Sequence, residues 1–216
     1  QHAIPEKIVA ACGGTSSPFL FGGTDPRSGD LYAHFHFEGV GWGGRQGLDG
    51  NNMVVTINGN CRNTPVEVFE TRYPSFLIES YRLLPDSGGP GEFRGGLGGE
   101  RLLTVTEEVT VSALLNRMLA DPWGVLDGEN GQRGGIWVKR AGHDSWQTFV
   151  EAYGTMSPSK FSGIRLHPGD QVKLVMPGGG GYGDPLQRDR ASVERDISEG
   201  FITMERAVAA YGYGRE

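Results

Sequence analysis

Leu31 to Gly39 reads Leu-Tyr-Ala-His-Phe-His-Phe-Glu-Gly, and its alternation decides the fold class. Side chains of a strand point to opposite faces in turn, so polar His34, His36 and Glu38 share one face and Phe35 and Phe37 the other. Upstream, Pro18 to Gly23 (PFLFGG) is a second apolar run, and Asp25-Pro26-Arg27-Ser28-Gly29-Asp30 between them is rich in turn formers. Together these predict a hairpin with a longer loop. Further runs of strand type follow at 51–57, 76–84, 100–105, 109–114, 135–139, 163–166 and 171–177, broken by Gly and Pro. His167 to Val172 reads as a tight turn into the last of them. Thr64 to Tyr73 (TPVEVFETRY) predicts one short internal helix, with a Thr64-x-x-Glu67 capping box, Pro65 in the first turn and Pro74 as its stop. Asp189–Gly200 and Thr203–Tyr211 carry helical spacing behind Asp189 and Thr203 as caps. The expected class is α+β and β-rich: antiparallel strands in a sandwich or barrel-like unit, one short internal helix and a C-terminal helical hairpin. Expected segments are 1–75 (Gly-rich strands and loops with the short helix), 76–186 (mainly β) and 187–216 (the hairpin).

The composition narrows the function classes. Of 216 residues 36 are Gly and 12 Pro, yet no three-residue glycine period exists, which excludes a collagen-like rod. Four Trp, ten Phe and seven Tyr are too many aromatics for a disordered chain. The net charge of −6 argues against nonspecific nucleic-acid binding, which needs a basic face. No run of about 18 apolar residues is present, and no basic-then-apolar secretory leader. Cys12 and Cys61 therefore read as free thiols, and the expected location is the cytoplasm. The sequence starts at Gln1 and is in structured-looking sequence within eight residues, so it reads as a segment of something longer.

Three stretches carry residues suited to chemistry. His34, His36 and Glu38 on one strand face suit a divalent metal such as Zn or Mn, the lining of an active site, or merely a polar strand face. Gly39 to Gly50 (GVGWGGRQGLDG) offers backbone N–H groups for close approach to a ligand, with Trp42, Arg45 and Asp49 alongside. Arg45 is a candidate clamp for a carboxylate or phosphate. The stretch equally suits a structural loop. It lacks the Gly-x-x-x-x-Gly-Lys-[Ser/Thr] pattern of a phosphate loop. Asn60, Cys61, Arg62, Asn63 and Thr64 stand where a helix N-terminus favours anions, and Arg62 beside Cys61 would favour its thiolate. Pro85–Gly99 and Pro177–Pro185 read as structural turns, and His143 and His167 as exposed loop residues.

In order, the motifs Ala10-Ala11-Cys12-Gly13-Gly14-Thr15, Phe37-Glu38, Asp49-Gly50 and Asn63-Thr64-Pro65-Val66-Glu67 resemble the hydantoinase B family. The match continues through Tyr81-Arg82-Leu83, 86–91 (DSGGPG), 93–98 (FRGGLG), Pro122-Trp123-Gly124 and 177–185 (PGGGGYGDP). That family includes N-methylhydantoinase B, the matching half of ATP-dependent 5-oxoprolinase, and subunits of acetone and acetophenone carboxylases. The resemblance implies the C-terminal part of an ATP-dependent enzyme that hydrolyses a cyclic amide (hydantoin, 5-oxoproline or a lactam). Two alternatives are part of a biotin-independent ketone carboxylase and a non-catalytic assembly module. It implies ATP and Mg on an A-type partner subunit, and a divalent metal (Zn, Mn or Fe) on the N-terminal half of the B-type subunit. No metal ligand is carried onto this chain. Phosphorylating the amide or enol oxygen on the partner would make a poor electrophile or nucleophile reactive. Here Glu38, His36 and His34 become the proton-transfer candidates, and Trp42, Arg45, Asp49, Asn63 and Thr64 the substrate-binding ones. Where relatives carry aromatic-Glu-Thr ahead of the glycines, this chain has His36-Phe37-Glu38-Gly39.

Overall fold

The computed structural model describes residue 4 and residues 7–14, 16–55 and 63–214. Two antiparallel sheets face each other across one apolar core. The first has four strands in the order β2-β1-β5-β8, where β1 is Phe19–Thr24, β2 Leu31–His36, β5 Val109–Leu114 and β8 Lys160–Leu166. The second has five in the order β3-β4-β9-β6-β7, comprising Phe76–Leu83, Gly99–Val105, Gln171–Met176, Gly135–Lys139 and Gln147–Thr148. Period-two patterning builds the interface: Phe19 and Phe21 of β1 and Val109 and Val111 of β5 face Leu103 and Val105 of β4 and Val172 and Leu174 of β9. This is the β-rich α+β class expected, in its sandwich form. Among the described residues no helix is long and apolar enough to cross a membrane.

The hairpin β1–β2 forms in register, with Phe21 opposite His34 and Phe19 opposite His36. Helix α1 spans Val66–Arg72, but the expected capping box does not form. Pro65 occupies the cap position and no side chain caps the helix, because Thr64 lies one residue too early. A second helix, α2 (Phe149–Tyr153), was not anticipated. It has a complete capping box between Thr148 and Glu151. At the C-terminus Asp189 and Thr203 cap α3 (Arg190–Ser198) and α4 (Met204–Tyr211), as the sequence predicts. The run at 51–57 is not a strand: Val54 makes an isolated bridge to Val40, and 56–57 lie outside the described residues.

The glycine runs correct the reading as turns. They form a second core of close-packed backbone. The N–H groups of Gly178, Gly179, Gly180 and Gly181 donate in turn to Gln132, Gly96, Ala11 and Glu129 carbonyls at 2.8–2.9 Å. The first and last of these bonds go to one segment, at Gln132 and Glu129. A methyl group on Gly179 would lie 1.9 Å from the Trp42 carbonyl oxygen, so only glycine permits this approach.

Candidate active site

Four elements converge on a cavity of about 320 Å³. Strand β2 brings His34 and His36, the segment ahead of α1 brings Asn63 and Thr64, and β3 and β4 bring Tyr81 and Arg101. The lone charge on the inward face of β4 is Arg101, flanked in period two by buried Leu103 and Val105. Glu38, just past the end of β2, has no exposed surface and stands behind the cavity wall.

A continuous chain of polar contacts runs through this wall. The Tyr73 hydroxyl lies 2.7 Å from His34 Nδ1, His34 Nε2 lies 3.4 Å from His36 Nδ1, and His36 Nε2 lies 3.0 Å from Glu38 Oε1. Arg101 closes it from the other sheet. Its Nη2 donates to Glu38 Oε2 at 3.3 Å, and its Nε approaches Oε1 at 2.6 Å off the N–H axis, an ionic contact rather than a directed bond. The guanidinium is stacked 4.0 Å above the Tyr81 ring, which holds its plane. Burial pushes the Glu38 carboxyl up, but the hydrogen bond from His36 and the charge of Arg101 outweigh it and hold it below the usual carboxylate range. His34 is driven down to about 4 by burial, with the nearby His36 and Arg72 adding to the effect. It is a neutral imidazole at pH 7.

The remaining candidates are dispersed. Asn63 accepts a hydrogen bond from the Tyr81 hydroxyl at 3.3 Å. Asn60, Cys61 and Arg62 lie outside the described residues. Trp42, Arg45 and Asp49 do not line the cavity. The Trp42 indole N–H donates to the Val54 carbonyl at 3.3 Å. Asp49 takes a two-pronged bond from Arg188, both arms 2.7 Å, and an N–H from Arg94. Arg45 pairs its backbone with Leu48. Three of the glycine loop's N–H groups are also committed, Gly41 to Pro177, Gly44 to Gly180 and Gly50 to Arg94. They donate to protein, not to a ligand.

The divalent-ion reading of His34, His36 and Glu38 fails on geometry. His36 Nε2 and Glu38 Oε1 are bonded directly to each other, leaving no room for an ion between them. Among the described residues no group of three or more His, Cys, Asp or Glu side chains could hold one. The His34–His36–Glu38 set therefore does not fit a resident metal.

Residues 1–185 match the family described as hydantoinase B/oxoprolinase. The chain belongs to the hydantoinase B/oxoprolinase family. It is 34% identical over 171 residues to the B-type subunit of a putative D-/L-hydantoinase of Pseudomonas sp. (strain NS671), covering 79% of this chain and 27% of that protein. Its fold superposes with a TM-score of 0.76 on the ATP-dependent caprolactamase of Pseudomonas jessenii, at 25% identity over 97% of this chain and 36% of the other. Nucleotide-free acetone carboxylase shares the fold with a TM-score of 0.74 at 22% identity, over 97% of this chain and 31% of the other. The chain thus spans about a third or less of these relatives' length.

In this family member the sequence reading missed Arg101, Tyr73 and Tyr81. Arg101 had a usable signal, a charge in phase with the apolar positions 103 and 105 of a strand. Tyr73 and Tyr81 had none, since what makes them part of the site is contact with residues far away in sequence.

Proposed function

We propose that this chain forms one wall of the active site of an ATP-dependent enzyme that opens a cyclic amide. The observation that carries the reading is the His34–His36–Glu38–Arg101 constellation in the wall of a cavity, on a chain of the hydantoinase B/oxoprolinase family. His36 and His34 are the proton-transfer groups and touch the cavity. Glu38 acts through them: its carboxylate orients His36 and offsets the Arg101 charge, as the acid of a catalytic triad orients its histidine. Arg101, Asn63 and Thr64 meet the substrate. Trp42, Arg45 and Asp49, first read as substrate ligands, act by holding the wall in place. The caprolactamase relative is described as ATP-dependent. We assign ATP and Mg to an A-type partner subunit and the divalent metal to the remainder of the B-type subunit, in the cytoplasm where ATP is supplied.

The test uses the complete enzyme, this chain with the rest of its subunit and its partner. Hydantoin, 5-oxoproline and caprolactam are each supplied with ATP, and ring-opened product and ADP are followed together. His36→Gln is expected to lower kcat by about 10²–10⁴-fold. Unchanged turnover in that variant removes the proposed role. Incorporation of labelled bicarbonate into a ketone, with no amide opened, replaces the hydrolase reading with a carboxylase one.

A further inference from the structure

The contacts behind the cavity have a direction, and that direction depends on charge. Ionised Glu38 has no hydrogen to give, so His36 Nε2 carries one toward Oε1. In neutral His36, Nδ1 is then a lone pair, and His34 Nε2 must donate to it. His34 Nδ1 is in turn a lone pair that accepts the Tyr73 hydroxyl. Both rings are Nε2–H tautomers, and every hydrogen points inward from Tyr73 to Glu38. A proton added to His36 reverses this. Its Nδ1 becomes a donor, His34 Nε2 must accept, and the His34 hydrogen passes to Nδ1 and faces the tyrosine oxygen.

We propose that Tyr73, His34 and His36 form a reversible proton relay. In it the half-buried Tyr73 hydroxyl is the doorway through which His36 gains and loses a proton. Tyr73 is a positioning residue of the site. In the uptake step His36 Nδ1–H forms as His34 Nε2–H breaks, and His34 Nδ1–H forms as Tyr73 O–H breaks. The phenolate then takes a proton from water. The net change is one solvent proton on His36, with His34 neutral throughout and its tautomer inverted. The groups facing the relay are Glu38 beyond β2, Arg101 of β4, Tyr81 of β3 and Arg72 of α1. Glu38 and Arg101 offset each other, and the Arg72 charge disfavours a cation at His34. The relay rests on the reading of His36 as the proton-transfer group of the cavity.

The experiment is a pH titration of the full 216-residue chain labelled with ¹⁵N-histidine, read by long-range ¹⁵N–¹H NMR. At high pH both rings are expected to show protonated Nε2 and bare Nδ1. As His36 titrates, the two His34 nitrogens should exchange character while that ring stays neutral. A His34 that holds its tautomer, or becomes a cation together with His36, overturns the relay. Tyr73→Phe keeps the ring and removes the hydroxyl, and should slow proton exchange at His36 by about 10²-fold. An unchanged exchange rate overturns the doorway. If that variant does not fold, the native titration decides alone. Static tautomers together with inactive His36→Gln enzyme would refute the relay and leave the proposed function standing. A clear tautomer swap together with fully active His36→Gln enzyme would do the opposite.

Discussion

Replacing Glu38 by Gln keeps the side-chain shape and deletes the charge on which the site is built. Glu38 is 0% exposed and the Arg101 side chain 6%, so the variant leaves a guanidinium in the interior without its carboxylate. Its amide can accept one bond, from either His36 or Arg101, but its NH₂ faces the other donor. Removing one partner of a buried pair typically costs about 3–5 kcal/mol. The lower end, about 3 kcal/mol, applies because the cavity lets water reach Arg101 and one hydrogen bond survives. For a chain of this size that is a fall in Tm of roughly 6–12 °C. The double variant with Arg101→Met removes both charges and frees the amide at position 38 to turn its oxygen to the His36 Nε2–H, so it should regain much of the loss. Urea denaturation of the native chain, both single variants and the double variant closes the cycle, with a coupling of about 2–3 kcal/mol expected. A loss under about 1 kcal/mol in Glu38→Gln, or losses that simply add, would mean the pair does not hold the site together. The same pair sets an acid limb. A carboxyl depressed in the fold contributes stability above the ordinary carboxylate range and loses it as pH falls through the folded value, so Glu38→Gln should flatten that limb.

His34 gives a separate window. Its imidazole is at about 4 in the fold against 6.5 for the unperturbed group, so below 6.5 the unfolded chain binds a proton that the folded chain refuses. Stability should fall as pH drops from 6.5 to 4, and His34→Asn should remove part of that slope; equal slopes in chemical denaturation would contradict the assignment. Gly179→Ala should give no folded protein, since its Cβ meets backbone at 1.9 Å, whereas Gly142→Ala, with φ +77° and nothing within 4 Å, should cost only about 1 kcal/mol. Circular dichroism of the two variants separates these outcomes, and a well-folded Gly179→Ala chain would refute the close-packed glycine core. Arg188→Met leaves Asp196 and Asp49 without their shared cation, at about 3 kcal/mol, and should speed amide exchange in α3 and α4 before the sheets; uniform exchange would show the hairpin is not held by this cluster.

The sandwich was legible because its strands keep one rule. β5 reads Val-Thr-Val-Ser and β9 begins Gln-Val-Lys-Leu, with the apolar positions buried, and both strands appear where that alternation does. The C-terminal helices were legible from Asp189 and Thr203, whose side chains cap them as such residues do. α2 has only five residues, too few for a helical period, although its Thr148-x-x-Glu151 box was there to read. The glycine core could not be read in this way. A glycine leaves no side-chain pattern, and whether its neighbours are turns or packed backbone is decided by segments far away, such as Trp42 against Gly179. For the same reason the sequence groups Trp42, Arg45 and Asp49 with His34 and His36, while the structure sets them outside the cavity. A glycine-rich loop looks open in sequence, and here the N–H groups of Gly41, Gly44 and Gly50 are already bonded to the chain.

These two cores are coupled at the site itself. A carboxylate does not settle in an interior without compensation, and Glu38 is taken there by the backbone that follows it. Gly39 is so close to Met53 that a Cβ would lie 2.2 Å from the Met53 carbonyl oxygen, and Val40 pairs with Val54 in both directions. The Glu38 N–H is itself held by the Ser16 carbonyl at 2.8 Å. With the chain pinned on both sides, the Glu38 side chain is confined between His36 on one sheet and Arg101 on the other. The histidines come from β2 and the arginine from β4, and Glu38 meets both from a backbone that Gly39 lets pass close to Met53. Enlarging Gly39 should therefore disturb Glu38, and through it the His36 tautomer, even though Gly39 offers no functional group of its own.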